Sequence, residues 1–268
     1  MAGEQLDLFA ARGAAVERPA GTDPSRQGME PARLDDDALI AAIDAAGMAE
    51  FPSLAAEAGR RRLRAAAPAL ERICRRFAGF GVDQVVPEQV AALEALAATG
   101  GKDAARAVAL LITRAVVQGP TLKKAVAAAA DLGSELPASA VLDLLRHADP
   151  AVRADACRCV RRSPDLVPVL IDLLDDLHAS VGIAAAFALA RMGRLEARPR
   201  LLGLLRTTPS PEAIKAIVDI ADEECIVLLG RIARTIPELA AAARAALEDI
   251  DHPQAVRLIA GMTQQYGC

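Results

Sequence analysis

The chain has 268 residues, of which 53% are hydrophobic and 25% charged, with no Trp, one Tyr and five Phe. That length and apolar content support a buried core and exclude a wholly disordered chain, and the dominance of Ala, Leu, Val and Ile among the apolar residues favours helices. The net charge is −4, with eight Asp and Glu against four Arg in residues 1–40 and an even 27 against 27 beyond, which argues against a protein that wraps nucleic acid as a whole.

In chain order, the first feature is the cluster Gln5-Leu6-Asp7-Leu8-Phe9. Residues 10–33 follow, a mixture of Pro, Gly, Ala and charge with almost no large apolar side chains, which cannot offset the entropy of ordering. A flexible coil of this length spans roughly 25–30 Å, so residues 1–34 are expected to be a disordered tail that carries residues 5–9 clear of a folded body over 35–268. Glu4 and Asp7 stand where a signal peptide carries positive charge, and no window approaches the roughly 18 unbroken apolar residues of a membrane helix. A cytoplasmic protein with no membrane contact is expected.

Order is expected to begin where Asp35 to Asp37 supply an N-cap and first-turn carboxylates to a helical face of Leu39, Ile40 and Ile43. The next stretch is rich in arginine: Arg60, Arg61, Arg62, Arg64, Arg72, Arg75 and Arg76 against Glu71 alone. Arg72, Arg75 and Arg76 share a helix face opposite Leu70, Ile73, Cys74 and Phe77, and both Phe77 and Phe80 are expected in the core. Arg60, Arg61, Arg64, Arg72, Arg75 and Arg76 could face phosphates of DNA, or form a solvated face whose stems pack over neighbours. Gly100-Gly101-Lys102 lacks the spacing of a phosphate-binding loop and reads as a turn between helices.

From Asp149, an N-cap, and Pro150 at the first turn, a helix runs to a break at Ser163-Pro164, and a second carries Leu166, Val169, Leu170, Leu173 and Leu174. The stretch from Ala179 repeats this plan, with a stop at Gly193 and a second helix bearing Leu201, Leu202, Leu204 and Leu205. Four second helices share Pro-x-apolar-x-x-apolar-apolar, beginning at Pro68, Pro168, Pro199 and Pro253. First helices start equivalently at Val152, Val181, Ala213 and Leu239, a period near thirty that signals stacked helix pairs. Each pair has an apolar face too wide for its own hairpin, and stacking buries the excess.

At 149–160 and 196–205 the chain resembles the two halves of a HEAT repeat, particularly the short HEAT-like repeats also found in phycobilisome lyases. The resemblance spans about residues 50–265 and is weakest over 83–147. It implies an all-α fold, a right-handed α-solenoid of about six or seven helical hairpins, with a concave surface for a protein partner.

No catalytic constellation emerges. His147, His178 and His252 each precede a helix and read as cap or loop residues. Cys157 and Cys159, two positions apart on a helix, point about 200° from one another and cannot hold one ion together. Five scattered cysteines suit free thiols in a reducing compartment. The expectation is a non-enzymatic adaptor without metal or cofactor.

Gln5-Leu6-Asp7-Leu8-Phe9 resembles the pentapeptide by which bacterial polymerases and repair proteins bind the replication sliding clamp, at all five positions. The resemblance implies that Leu8 and Phe9 enter an apolar pocket of the clamp, that Gln5 hydrogen-bonds, and that Leu6 and Asp7 hold the shape. On that reading the solenoid is an adaptor or scaffold recruited to the clamp in replication or repair. Two alternatives stand beside it: a DNA-binding repair protein using the arginine face, and a lyase-like or chaperone-like HEAT module with no clamp link.

Overall fold

A computed structural model describes residues 30–265, over which the chain forms fifteen α-helices and short 3-10 turns and no strand. The helices are α1 (Asp36–Ala45), α2 (Phe51–Arg60), α3 (Ala67–Arg76), α4 (Pro87–Thr99), α5 (Gly101–Thr113), α6 (Gly119–Leu132) and α7 (Ala138–Leu145). They continue as α8 (Pro150–Cys159), α9 (Val167–Asp172), α10 (Ala179–Ala190), α11 (Arg198–Thr207), α12 (Pro211–Ile217), α13 (Glu223–Thr235), α14 (Pro237–Asp249) and α15 (Pro253–Gln265).

Two layers result. The even helices form an unbroken row in which α2, α4, α6, α8, α10, α12 and α14 each pack on the next. On the other side α1 packs on α3 and α3 on α5, then α7 on α9, and α11 on α13. The repeat spacing read in the sequence sorts cleanly between the layers. Pro68, Pro168, Pro199 and Pro253 open the odd helices α3, α9, α11 and α15, and Val152, Val181, Ala213 and Leu239 lie in the even helices α8, α10, α12 and α14. The fold is an all-α, HEAT-like solenoid.

Helix starts are strongly marked. Ten of the fifteen described helices carry Pro in their first turn, where the missing N–H would have had no intrahelical partner. Asp35, Asp149, Ser210 and Asp222 cap α1, α8, α12 and α13 by accepting hydrogen bonds from backbone N–H groups of the first turn. His147 and His252 each accept a turn N–H at Nδ1, from Asp149 and Gln254, and His178 is the N-cap residue of α10.

One core runs the length of the stack, from Leu39 and Ile43 of α1 to Leu247 of α14, and much of it is alanine: Ala92, Ala104, Ala125, Ala129, Ala156, Ala185, Ala186 and Ala243 are fully buried. Small side chains let neighbouring helices approach closely, so the layers are held by many short contacts and few large anchors. At Gly119 the start of α6 meets the turn before α4: its φ is +52°, and a Cβ there would overlap the carbonyl oxygens of Gly81 and Val82. Only glycine fits there.

Ion pairs tie one repeat to the next. Arg153 of α8 grips both carboxylate oxygens of Asp176 at 2.9 and 3.0 Å, with side chains only 14% and 8% exposed. Its other donors reach the carbonyls of His147 and Ala148. Arg198 repeats the device one hairpin later, donating to Ile220 O at 2.8 Å and to Asp222 at 3.0 Å.

Phe80 departs from expectation. It is 63% exposed, beside a half-buried Phe77 whose ring it meets edge-on at 6.3 Å, because the chain turns away from α3 at Gly79 (φ +84°) before α4 begins. The four described cysteines, Cys74, Cys157, Cys159 and Cys225, are free and buried. No described helix is long and apolar enough to cross a membrane.

Candidate functional site

The arginine stretch over α2 and α3 is occupied by its own surroundings. Glu57 receives Arg60 in a two-point contact and Arg61 at 2.6 Å, and these guanidinium hydrogen bonds hold its carboxyl down at about 2. Arg61 is 18% exposed and also donates to Asp36 and to the carbonyls of Pro31, Ala32 and Leu34, which fastens the turn Pro31–Arg33 to α2. Arg72 makes a two-point pair with Asp44, Arg76 donates to the Asp44 carbonyl, and Arg75 pairs with Glu71. Arg64 lies against Gly101 at the start of α5. Five of these six side chains therefore spend donors within the protein, and four of them, Arg60, Arg61, Arg72 and Arg75, are paired with carboxylates. Gln5, Leu6, Asp7, Leu8 and Phe9 lie outside the described residues.

A different set of residues converges on the even face. Ser180, Ile183, Ala184, Phe187 and Arg191 recur on α10 at i, i+3, i+4, i+7 and i+11, one stripe along the helix. They form the floor of a groove of about 640 Å³, flanked by Ala154 and Arg158 of α8 and by Glu212, Lys215, Ala216 and Asp219 on the α12 side. At the C-terminal ends of these helices the groove meets a second depression of about 460 Å³, which includes Arg162, Val167, Met192 and Arg194. Arg191 and Asp219 line both.

The stripe exists because α10 is apolar all round. Between Ala179 and Ala190 it carries no charged residue, and while Val181, Ala185, Ala186 and Leu189 face the core, Ile183, Ala184 and Phe187 are only half-buried. A helix hydrophobic on every side is ordinarily buried on every side. Here one side is open.

The rim is cationic, and its cations differ in what they hold. Arg158 is engaged by Asp131 at 2.6 Å and Asp155 at 3.0 Å, and Arg194 by Glu196 at 2.7 Å. Arg191 donates only to the Cys157 carbonyl at 3.0 Å, in the last turn of α8, where a cation complements the helix dipole. Burial lowers the pKa of its guanidinium, and Arg161 and Arg158 nearby lower it further. Arg162 and Lys215 have no carboxylate within ion-pair distance among the described residues.

Nucleophilic chemistry by the thiols is disfavoured by their setting. Burial pushes Cys157 up to about 12 and Cys159 up to about 11, and the latter points toward the Val126 carbonyl in the core. They play the small-residue role expected of them. No group of three or more His, Cys, Asp or Glu placed to hold a metal is found among the described residues.

Residues 138–219, from α7 through the turn after α12, match the family model for HEAT repeats. This interval contains most of the groove lining. No curated protein sequence matches the chain. Among solved structures, the chain resembles the complex of CpcE and CpcF of phycocyanin lyase from Nostoc sp. PCC7120, with a TM-score of 0.53 and 18% identity over 94% of this chain and 99% of that one. At that identity the likeness is one of fold. It nevertheless overturns the expectation of a non-enzymatic protein, since a solenoid superimposable along nearly its whole length is part of a lyase, and the lack of a catalytic motif in the sequence does not separate the two. Residues 138–219 are thus matched by HEAT repeats, within a HEAT-like α-solenoid that runs through the described chain.

Proposed function

We propose that the protein is a lyase-like HEAT module that holds a client protein in the α8–α10–α12 groove. The open apolar side of α10 carries this reading: Ile183, Ala184 and Phe187 form a hydrophobic floor left uncovered in the middle of an otherwise well-packed layer. The likeness in fold to phycocyanin lyase subunits supports a module that receives a client. Free buried thiols suit a reducing compartment, and we place the protein in the cytoplasm.

The test is site-specific photocrosslinking in cells, with a benzophenone amino acid in place of Phe187 or Lys215, and in place of the exposed Val256 and Met48 away from the groove. A discrete adduct at 187 and 215 and none at 256 and 48 is the expected result. Equal labelling at all four positions, or none at 187, would sink the proposal.

A second reading concerns delivery, and the five-position match of Gln5-Leu6-Asp7-Leu8-Phe9 to the clamp-binding pentapeptide favours it. A peptide of residues 1–12 then binds bacterial sliding clamp in the micromolar class, roughly −8 kcal/mol. Leu8→Ala with Phe9→Ala abolishes clamp binding by the full chain; retention of binding by this variant refutes the motif. The two readings are independent, since one assigns a destination and the other a cargo.

A further inference from the structure

We infer that the groove selects an acidic peptide segment bearing a bulky apolar residue, and that Arg191 is the residue that chooses it. This rests on the client-binding reading and adds the chemistry of the client.

Shape comes first. The floor runs along α10 from Ser180 to Arg191, eleven residues at about 1.5 Å rise and so about 16 Å, between α8 and α12 as walls. That length matches about five residues of extended chain at about 3.3 Å each. The adjoining depression continues the path past Arg191 and over the ends of the helices toward Arg162. A continuous, open trough of this kind suits a polypeptide.

Charge then specifies it. Arg158 and Arg194 already have carboxylate partners, which leaves Arg162, Arg191 and Lys215 as cations without one. Arg191 stands where the two depressions join, next to Phe187 by one helical turn, so an acidic side chain on its guanidinium places the neighbouring residue of the ligand over the aromatic floor. The guanidinium fork can take a carboxylate at two points, and partial burial strengthens that contact. Glu212 and Asp219 on the α12 side oppose a uniformly anionic polymer such as nucleic acid, whereas a peptide can place its acids at the α8–α10 side and a neutral residue beside α12.

Three fluorescein-labelled synthetic peptides and an oligothymidylate, titrated by anisotropy against the full chain at low salt, decide the matter. The first peptide has Asp and Glu around a central Phe-Leu, the second replaces the acids by Lys, and the third replaces them by Ser. The acidic peptide is expected to bind at least about tenfold more tightly than the other two and than the oligonucleotide. Arg191→Ala lowers its affinity about tenfold and Arg191→Glu abolishes binding, with helical circular dichroism unchanged. Equal binding of the serine peptide, lost in Phe187→Glu, overturns the acidic preference and leaves the groove reading standing. Tighter binding of the lysine peptide or of oligothymidylate overturns the inference, as does unchanged affinity in Arg191→Glu. Failure of every probe also overturns it, while crosslinking at position 187 reports separately on the groove.

Discussion

Two arginine clusters divide the molecule. Over α2 and α3 the arginines are dense in sequence and mutually close to carboxylates: Glu57, Asp36, Asp44 and Glu71 all lie within reach. Around α8, α10 and α12 the cations are scattered through some sixty positions, and Arg158, Arg191 and Lys215 gather along an open apolar floor. The first cluster is fastening and the second is a surface. A run of charge in a sequence therefore says little until its counter-ions are known, and isolated charges become a site when a fold collects them.

Several experiments can break or sharpen this contrast. The largest effect is expected where an arginine acts as a strap. Asp176→Ala strands the buried Arg153 guanidinium and should cost about 3–5 kcal/mol by denaturant unfolding, because an unpaired charge remains inside. Arg153 belongs to neither cluster but sets the scale for fastening, and a loss near zero would mean that a buried, carboxylate-paired arginine adds no stability in this fold.

Next is the pH dependence of the first cluster. Glu57 falls from its ordinary 4.5 to about 2 in the fold, so its contribution is complete above 4.5 and disappears as the pH drops toward 2. Melting temperature should fall across that window in the wild type. Arg61→Ala should melt lower at neutral pH and show a shallower acid slope, and parallel curves for the two proteins would contradict the assignment.

A third measurement probes the anchor of Arg191 on α8. Cys157 and Cys159 should react with a thiol reagent about a thousandfold and about a hundredfold more slowly, respectively, in the native protein than after unfolding, given thiol values near 12 and 11. Arg191→Ala should leave that protection intact, since burial and not the guanidinium raises the thiols. Rapid native labelling in this variant would show that Arg191 is a strap after all.

The smallest effect is the most telling for function. Arg191→Ala should change unfolding free energy by less than about 0.5 kcal/mol, as for a surface residue with one carbonyl contact. A structural loss above 2 kcal/mol, about the size of a buried network, would place Arg191 with the fastening cluster.

The architecture was legible because its signals are local. Pro168 and Pro199 precede their apolar residues at the same spacing, and Asp149 with Pro150 announces α8 within two positions. The groove was not, since Arg158, Phe187 and Lys215 are each unremarkable on their own helices. One signal was present: the uncharged run from Ala179 to Ala190 needs two apolar surroundings, and the packing of one repeat on the next supplies only one of them. The exposure of Phe80 was hidden for a related reason, as its position depends on the turn at Gly79 and not on helical spacing.

The prolines at the helix starts have a consequence for a stack made so largely of alanine. Helices with nearly interchangeable small faces could slide against one another by a turn at little loss, and a repeat array offers many such near-equivalent alignments. A proline cannot move deeper into a helix without removing a hydrogen bond and colliding with the preceding turn. Each one therefore acts as a zero mark on its helix, and ten zero marks spread over fifteen described helices give a uniform array a single readable alignment.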